Sequence, residues 1–286
     1  MGSLGRRVLV AAIGIPVAAG AAYAGGLLLA LLLALLAGIG AWELFRLARQ
    51  GGTGAIDSLG IPLAVLLPLG AHAVRIGWID APLAAGGALF VALTGAVLWS
   101  RSAEERPLES IAVTVFGVLY CGGTLAFAYA LRHHRFIVDP AAGLALVFFP
   151  LALTWVSDSA SYFVGRAIGR RKLMVVVSPN KTVAGTVGGV LISALAAWLY
   201  NAFVLLPLAQ LALAPWTVLI FGAVVSAVGQ VGDLMESLFK RQAGVKDSSS
   251  VLSAHGGVLD RLDSLYFVMP VAYLVLGRLL LAAPGR

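Results

Sequence analysis

Between Gly232 and Asp263 the chain reads GDLMESLFKRQAGVKDSSSVLSAHGGVLDRLD. Asp233, Glu236, Asp247, Asp260 and Asp263 interleave there with Lys240, Arg241, Lys246 and Arg261, although only 12% of the chain is charged. Carboxylates gather hard cations through oxygen, Mg²⁺ first, while Lys and Arg gather phosphate, so together they are the parts of a nucleotide-handling site. Asp260 and Asp263 stand three apart and share one face of a helix. Asp233 closes the preceding apolar run, and the three carboxylates are candidate metal ligands. Ion pairing with Lys240, Arg241 and Arg261 would account for any one of these acids. Five acids in one loop and two helix ends favour a cation. Lys240, Arg241 and Lys246 are candidate phosphate contacts, although cytoplasmic Lys and Arg are also expected of any membrane protein. His255-Gly256-Gly257 adds a donor and two residues whose backbone can approach an anion closely.

A second constellation lies upstream, TWVSDSASYFVGRAIGRRK followed by SPNKTVAGTVGG. Asp158 falls in or at the end of an apolar run, where a carboxylate is costly and marks a functional site by default. Pairing with Arg166, or a polar nest with Ser157, Ser159 and Ser161, is the structural alternative. Ser178-Pro179-Asn180-Lys181-Thr182 leads into the next apolar segment, which puts Lys181 and Thr182 at a helix N-terminus, where anions are favoured. Gly185 and Gly189 have the spacing of close helix packing. The single Cys121 sits in an apolar segment and reads as a small buried hydrophobe. The sequence has no G-x-x-x-x-G-K-[ST], no G-x-S-x-G, no H-E-x-x-H and no zinc-type spacing. Chemistry here would rest on charge neutralisation rather than on an activated nucleophile.

These residues need elements to hold them, and composition says which. A 60% hydrophobic chain with mean hydropathy +0.96 lies well above soluble domains. Apolar runs recur at 8–24, 26–45, 59–75, 79–99, 108–131, 141–165, 183–205, 215–235 and 264–283. Each is long enough to cross roughly 30 Å of hydrocarbon. The expected fold is all-α, a polytopic membrane protein of about nine helices. Ala22-Tyr23-Ala24 would pass as a signal-peptide cleavage site, but a second apolar run follows at once and suits a retained hairpin. With the N-terminus inside, fifteen of the twenty Lys and Arg residues fall on the cytoplasmic side, so the topology is N-in/C-out. That distribution accounts for the net charge of +7, so no nucleic-acid partner is implied. Residues 1–140 read as supporting hydrophobic hairpins and 141–286 as the catalytic half. The two charged loops, 165–182 and 236–263, share the cytoplasmic face, where nucleoside triphosphates are found.

Ser237-x-Phe239-Lys240-Arg241, Lys246-Asp247 and His255-Gly256-Gly257-x-x-Asp260-Arg261-x-Asp263 together resemble the motif of the phosphatidate cytidylyltransferases. Asp158 with Tyr162, Gly165 and Arg166, and the SPNKT segment, are similar to that family too. The likeness is motif-deep in the C-terminal half and only hydropathic in the N-terminal half. It implies transfer of a cytidylyl group from CTP to phosphatidate at the inner-membrane surface, for phospholipid synthesis. Mg²⁺ would be the cofactor, with a second cation open, and membrane lipid and a homodimer are compatible partners. It implies catalytic roles for Asp233, Lys240, Arg241, Lys246, Asp247, Asp260 and Arg261, with metal at Asp233, Asp260 and Asp263. Asp158, Asn180, Lys181, Thr182, Ser237, His255, Gly256 and Gly257 would bind substrate. Ser253 stands where the family usually has Pro or Gly, and Asn180 where Lys is common. These departures bear on loop stiffness and on one phosphate contact. A CTP-dependent lipid kinase and, more distantly, an ion-coupled transporter are the competing readings.

Overall fold

The computed structural model describes residues 3–281 apart from 136, 138, 212, 250 and 252–255, with side chains from residue 12 to 279. Nine helices are present among the described residues. They are α1 (Ser3–Ala24), α2 (Gly26–Gln50), α3 (Asp57–Arg75), α4 (Pro82–Ser100), α5 (Pro107–Arg132), α6 (Pro140–Ile168), α7 (Val183–Ala209), α8 (Pro215–Gln242) and α9 (Leu259–Leu281). Eight of them are long and apolar enough to cross a membrane; the described apolar part of α1 is shorter, Ala12–Ala24. The chain is a polytopic helical membrane protein.

Two features depart from the sequence reading. The 165–182 loop contains an antiparallel hairpin, β1 (Lys172–Met174) and β2 (Ser178–Thr182), in which Lys172 faces Thr182 and Met174 faces Ser178. The helices also run past the apolar runs, α6 to Ile168 and α8 to Gln242. Hydropathy marks the lipid-facing part of a helix, whereas the backbone ladder continues for as long as its hydrogen bonds do. Asp158 and Asp233 therefore lie inside helices, each roughly 15 Å short of the helix end at 1.5 Å per residue. Local chemistry sets several starts. Asp139 accepts from Ala142 N at 2.7 Å ahead of Pro140, and Thr182 accepts from Gly185 N at 3.1 Å to cap α7.

The chain divides into two compact units built from pieces distant in sequence. The first comprises residues 1–16, 26–129 and 239–261. At its centre Phe45 is fully buried, and a Cβ at Gly60 or Gly117 would collide with its ring. At one end of this unit Arg49 pairs with Asp57 at 2.5 Å, Arg101 donates to the Ala55 carbonyl at 2.9 Å, and Gln242 lies against Gly51. Three turns expected on one membrane face thus meet.

The second unit comprises residues 17–25, 130–238 and 262–286. Here α6 and α7 pack backbone to backbone. A Cβ at Gly185 would lie 2.5 Å from the Ser161 carbonyl, and one at Gly189 would overlap the Ser161 hydroxyl. The glycine spacing read in the sequence serves close helix packing. Phe149 stacks on Tyr200 and meets Phe221 beneath. At the end of this unit remote from the hairpin, Arg132 donates to the carbonyls of Ala22 at 2.5 Å and Tyr23 at 2.6 Å.

Candidate active site

The second unit holds a cavity of about 540 Å³, within the size range of small-molecule sites. Five elements supply its polar lining: Asp158, Ser161 and Arg166 from α6, Lys172 from β1, Asn180, Lys181 and Thr182 from β2, Thr186 from α7, and Gln230 and Asp233 from α8. Lys181 Nζ lies 2.6 Å from Asp233 Oδ2, and both side chains keep about a quarter to a third of their surface open. Ser237, one turn on, donates to Asp233 Oδ1 at 3.4 Å. Arg166 donates to the Tyr162 hydroxyl at 3.1 Å, so its recorded partner is not Asp158. A polar seam continues from the cavity between the helices. Gln230 donates to the Thr186 carbonyl at 3.2 Å and to Ser226 Oγ at 3.1 Å, and Ser226 meets Ser157 at 2.6 Å.

The first unit holds a second polar centre around Asp260, in the first turn of α9. Lys240 Nζ lies 2.8 Å from Asp260 Oδ1. The other oxygen accepts from Ser248 N at 2.9 Å, Ser248 Oγ at 2.9 Å and Gly257 N at 2.8 Å. Behind this centre stands Glu43 of α2, with no exposed surface. Its carboxylate accepts from Val258 N at 3.1 Å, Leu259 N at 2.6 Å and the Ser249 hydroxyl, and shares the single Ser248 hydroxyl proton, 3.1 Å away, with Asp260. Glu43 thus caps α9 from another helix, where orphan N–H groups and the positive end of the dipole favour a carboxylate. Gly256 has φ +79°, and a Cβ at Gly257 would overlap Ser248 Oγ and both Glu43 oxygens. The glycine pair lets the backbone close upon carboxylates in this state.

The Cytidylyltransferase family profile matches residues 5–279. The chain belongs to this family. A protein of Staphylococcus saprophyticus named phosphatidate cytidylyltransferase is 35% identical over 275 residues, covering 94% of this chain and 98% of that one. A protein of the same name from Bacillus subtilis is 43% identical over 134 residues, 47% of this chain and 48% of its own. Another from Staphylococcus epidermidis is 37% identical over 187 residues, 65% and 66% of the two chains.

Placed on this cytidylyltransferase-family chain, the sequence-derived residues fall into distinct groups. Asp158, Asn180, Lys181, Thr182 and Asp233 line one cavity, with Ser237 beside Asp233. Lys240, Asp260 and Gly257 form the other centre. Arg241, Lys246, Asp247 and Arg261 are exposed, while Asp263 accepts from Ser264 N at 2.6 Å. His255 lies outside the described residues. Among the described residues no three His, Cys, Asp or Glu side chains form a group fit to hold a metal ion. The ion-pair alternative weighed for the acids is realised at Lys240–Asp260 and, with a partner from the other loop, at Lys181–Asp233.

Glu43 and Gln230 were not picked out by sequence reasoning. Glu43 carried a signal nonetheless, since it is a lone carboxylate near the end of a long apolar run, the criterion that singled out Asp158. Gln230 carried none, because a neutral amide in an apolar helix has many unremarkable uses.

Proposed function

We propose that the chain transfers the cytidylyl group of CTP to phosphatidate, giving CDP-diacylglycerol and pyrophosphate. An oxygen of the lipid phosphate attacks the α-phosphorus of CTP. The bond from that phosphorus to the bridging oxygen of the β-phosphate breaks, and pyrophosphate leaves with the electron pair. The nucleophile is already an anion, so no strong general base is required. The barrier lies in gathering several negative charges, which positioned cations lower. The observation that carries the reading is the cavity where Lys181, Asp158 and Asp233 meet beside a helix N-terminus, in a chain of this family.

In this reading Asp233, Asp260 and Asp263 are the Mg²⁺ ligands, with a second cation compatible with the same oxygen donors. Asp233 and Asp260 each hold a Lys ammonium within 2.8 Å, so both carboxylates already sit against positive charge. When bound, Mg²⁺ would neutralise phosphate charge. Lys181 and Lys240, which pair with these carboxylates, would contact phosphate oxygens. Arg241, Lys246, Asp247 and Arg261 complete the catalytic set. Asn180, Thr182, Ser237, His255, Gly256 and Gly257 contact substrate. The cavity opens on the cytoplasmic face of the inner membrane, with N-in/C-out topology, so that CTP arrives from water and phosphatidate from the leaflet.

Purified protein supplied with CTP and phosphatidate decides the reaction through its by-product. Mg²⁺-dependent release of pyrophosphate with CDP-diacylglycerol is expected. Release of CDP with a phosphorylated lipid would instead assign a lipid kinase, and no lipid-dependent turnover of CTP would defeat the reading altogether.

A further inference from the structure

We infer that the β1–β2 hairpin is an interfacial anchor: Met174, Val175 and Val176 enter the headgroup–acyl boundary while Arg170, Arg171 and Lys172 bind anionic lipid phosphates. Val175 and Val176 in the turn and Met174 at the end of β1 are 63%, 86% and 47% exposed, while Val177 turns inward and is buried. Turns are ordinarily built from Gly, Pro, Asn, Asp and Ser, so a Val run at this tip is not explained by turn geometry. Immediately before it stand Arg170, Arg171 and Lys172, all exposed. An apolar edge beside a basic cluster is the pattern of segments that lie in a membrane interface.

Topology supplies the occupant. The hairpin is tethered at both ends to membrane-spanning helices, α6 ending at Ile168 and α7 beginning at Val183. The five residues of β2 that lead from the turn into α7 span at most about 17 Å, so the tip stays within that distance of the level where α7 begins. At that height it meets either lipid or water, and three exposed apolar side chains favour lipid. Lys172 and Gly169 also line the cavity. An anchored hairpin would therefore hold the cavity mouth at headgroup level, where a lipid phosphate enters. This consequence rests on the reaction proposed above; the anchor itself does not.

The test is a nitroxide label carried by Val176→Cys, and separately by Met174→Cys, in a Cys121→Ser background. The protein is reconstituted in phosphatidylcholine vesicles with or without phosphatidylglycerol. A label on Asp247→Cys, at an exposed loop position, is the water-facing reference. With phosphatidylglycerol present, accessibility to a water-soluble nickel relaxant should fall about threefold below the reference, and accessibility to oxygen should rise. Combining Arg170→Gln with Arg171→Gln should return the label toward water. Nickel accessibility equal to the reference at both tip positions overturns the anchor. Spin–spin broadening between labels would also overturn it, because a second copy would then cover the tip. Label depth unaffected by the two Gln substitutions overturns the lipid-phosphate contact. None of these readouts depends on turnover, so failure of the anchor and failure of the proposed reaction remain distinguishable.

Discussion

Asp233 and Asp260 share a residue type and an ammonium partner, yet their surroundings differ. Asp233 is about a third exposed and has Lys181 and a long contact from Ser237, and surface pairs of this kind add at most about 1 kcal/mol. Asp260 is 7% exposed and holds three donors besides Lys240. Asp233→Asn should therefore lower turnover about a hundredfold or more while leaving thermal unfolding in detergent near that of the wild type. Asp260→Asn should lower both turnover and the unfolding temperature. Turnover within about threefold of wild type for Asp233→Asn at saturating Mg²⁺ would remove its ligand role. Glu43 makes the complementary case. Glu43→Ala leaves several buried donors without an acceptor, at about 1–3 kcal/mol each, and should destabilise the protein severely. Glu43→Gln keeps one acceptor oxygen and should fall between. An unchanged melting profile for the Ala variant would show that the 248–259 segment does not depend on this cap.

At the scale of elements, the cavity exists because α6 and α7 approach closely enough to bring β2 and Lys181 over Asp233. Gly185 and Gly189 permit that approach, and side chains at those positions would meet Ser161, Ser157 and Gln230. Gly189→Val should cost about 1–3 kcal/mol of stability through overpacking and should weaken substrate use by spreading the cavity walls. Unfolding in detergent and the apparent KM for CTP read the two effects separately. Wild-type values for both would mean that the helices have slack the packing does not reveal. The hairpin shows why this region was only half legible. Lys181 and Thr182 read correctly as the approach to a helix start, and Thr182 is the cap. The strand pairing of Lys172 with Thr182 left no hydrophobic period, because both strands are short and mostly exposed.

For the whole molecule, the positive-inside count gives the expectation of an N-in/C-out alternation of crossings. Single cysteines in a Cys121→Ser background test it with a membrane-impermeant thiol reagent. Ser178→Cys and Ala243→Cys should react only after cells are opened, and Gln210→Cys should react in intact cells. Reaction of Ala243→Cys in intact cells would invert the topology and remove access of cytosolic CTP to the site.

The sequence by itself determined the polytopic helical class and marked the eight helices long and apolar enough to cross a membrane, because crossing depends on length and apolarity, both of which are local and additive. It also marked Asp158, Lys181 and Asp233, since charge in or near hydrocarbon is costly and stands out. Tertiary structure alone decided the partners. Lys181 meets Asp233 across 51 intervening positions, and Glu43 reaches Leu259 across more than two hundred. Such pairings follow from how helices pack in three dimensions, and neither spacing nor hydropathy encodes which buried carboxylate will face which donor. Only packing could show Gly257 closing upon Glu43, where the sequence left its backbone open to a phosphate.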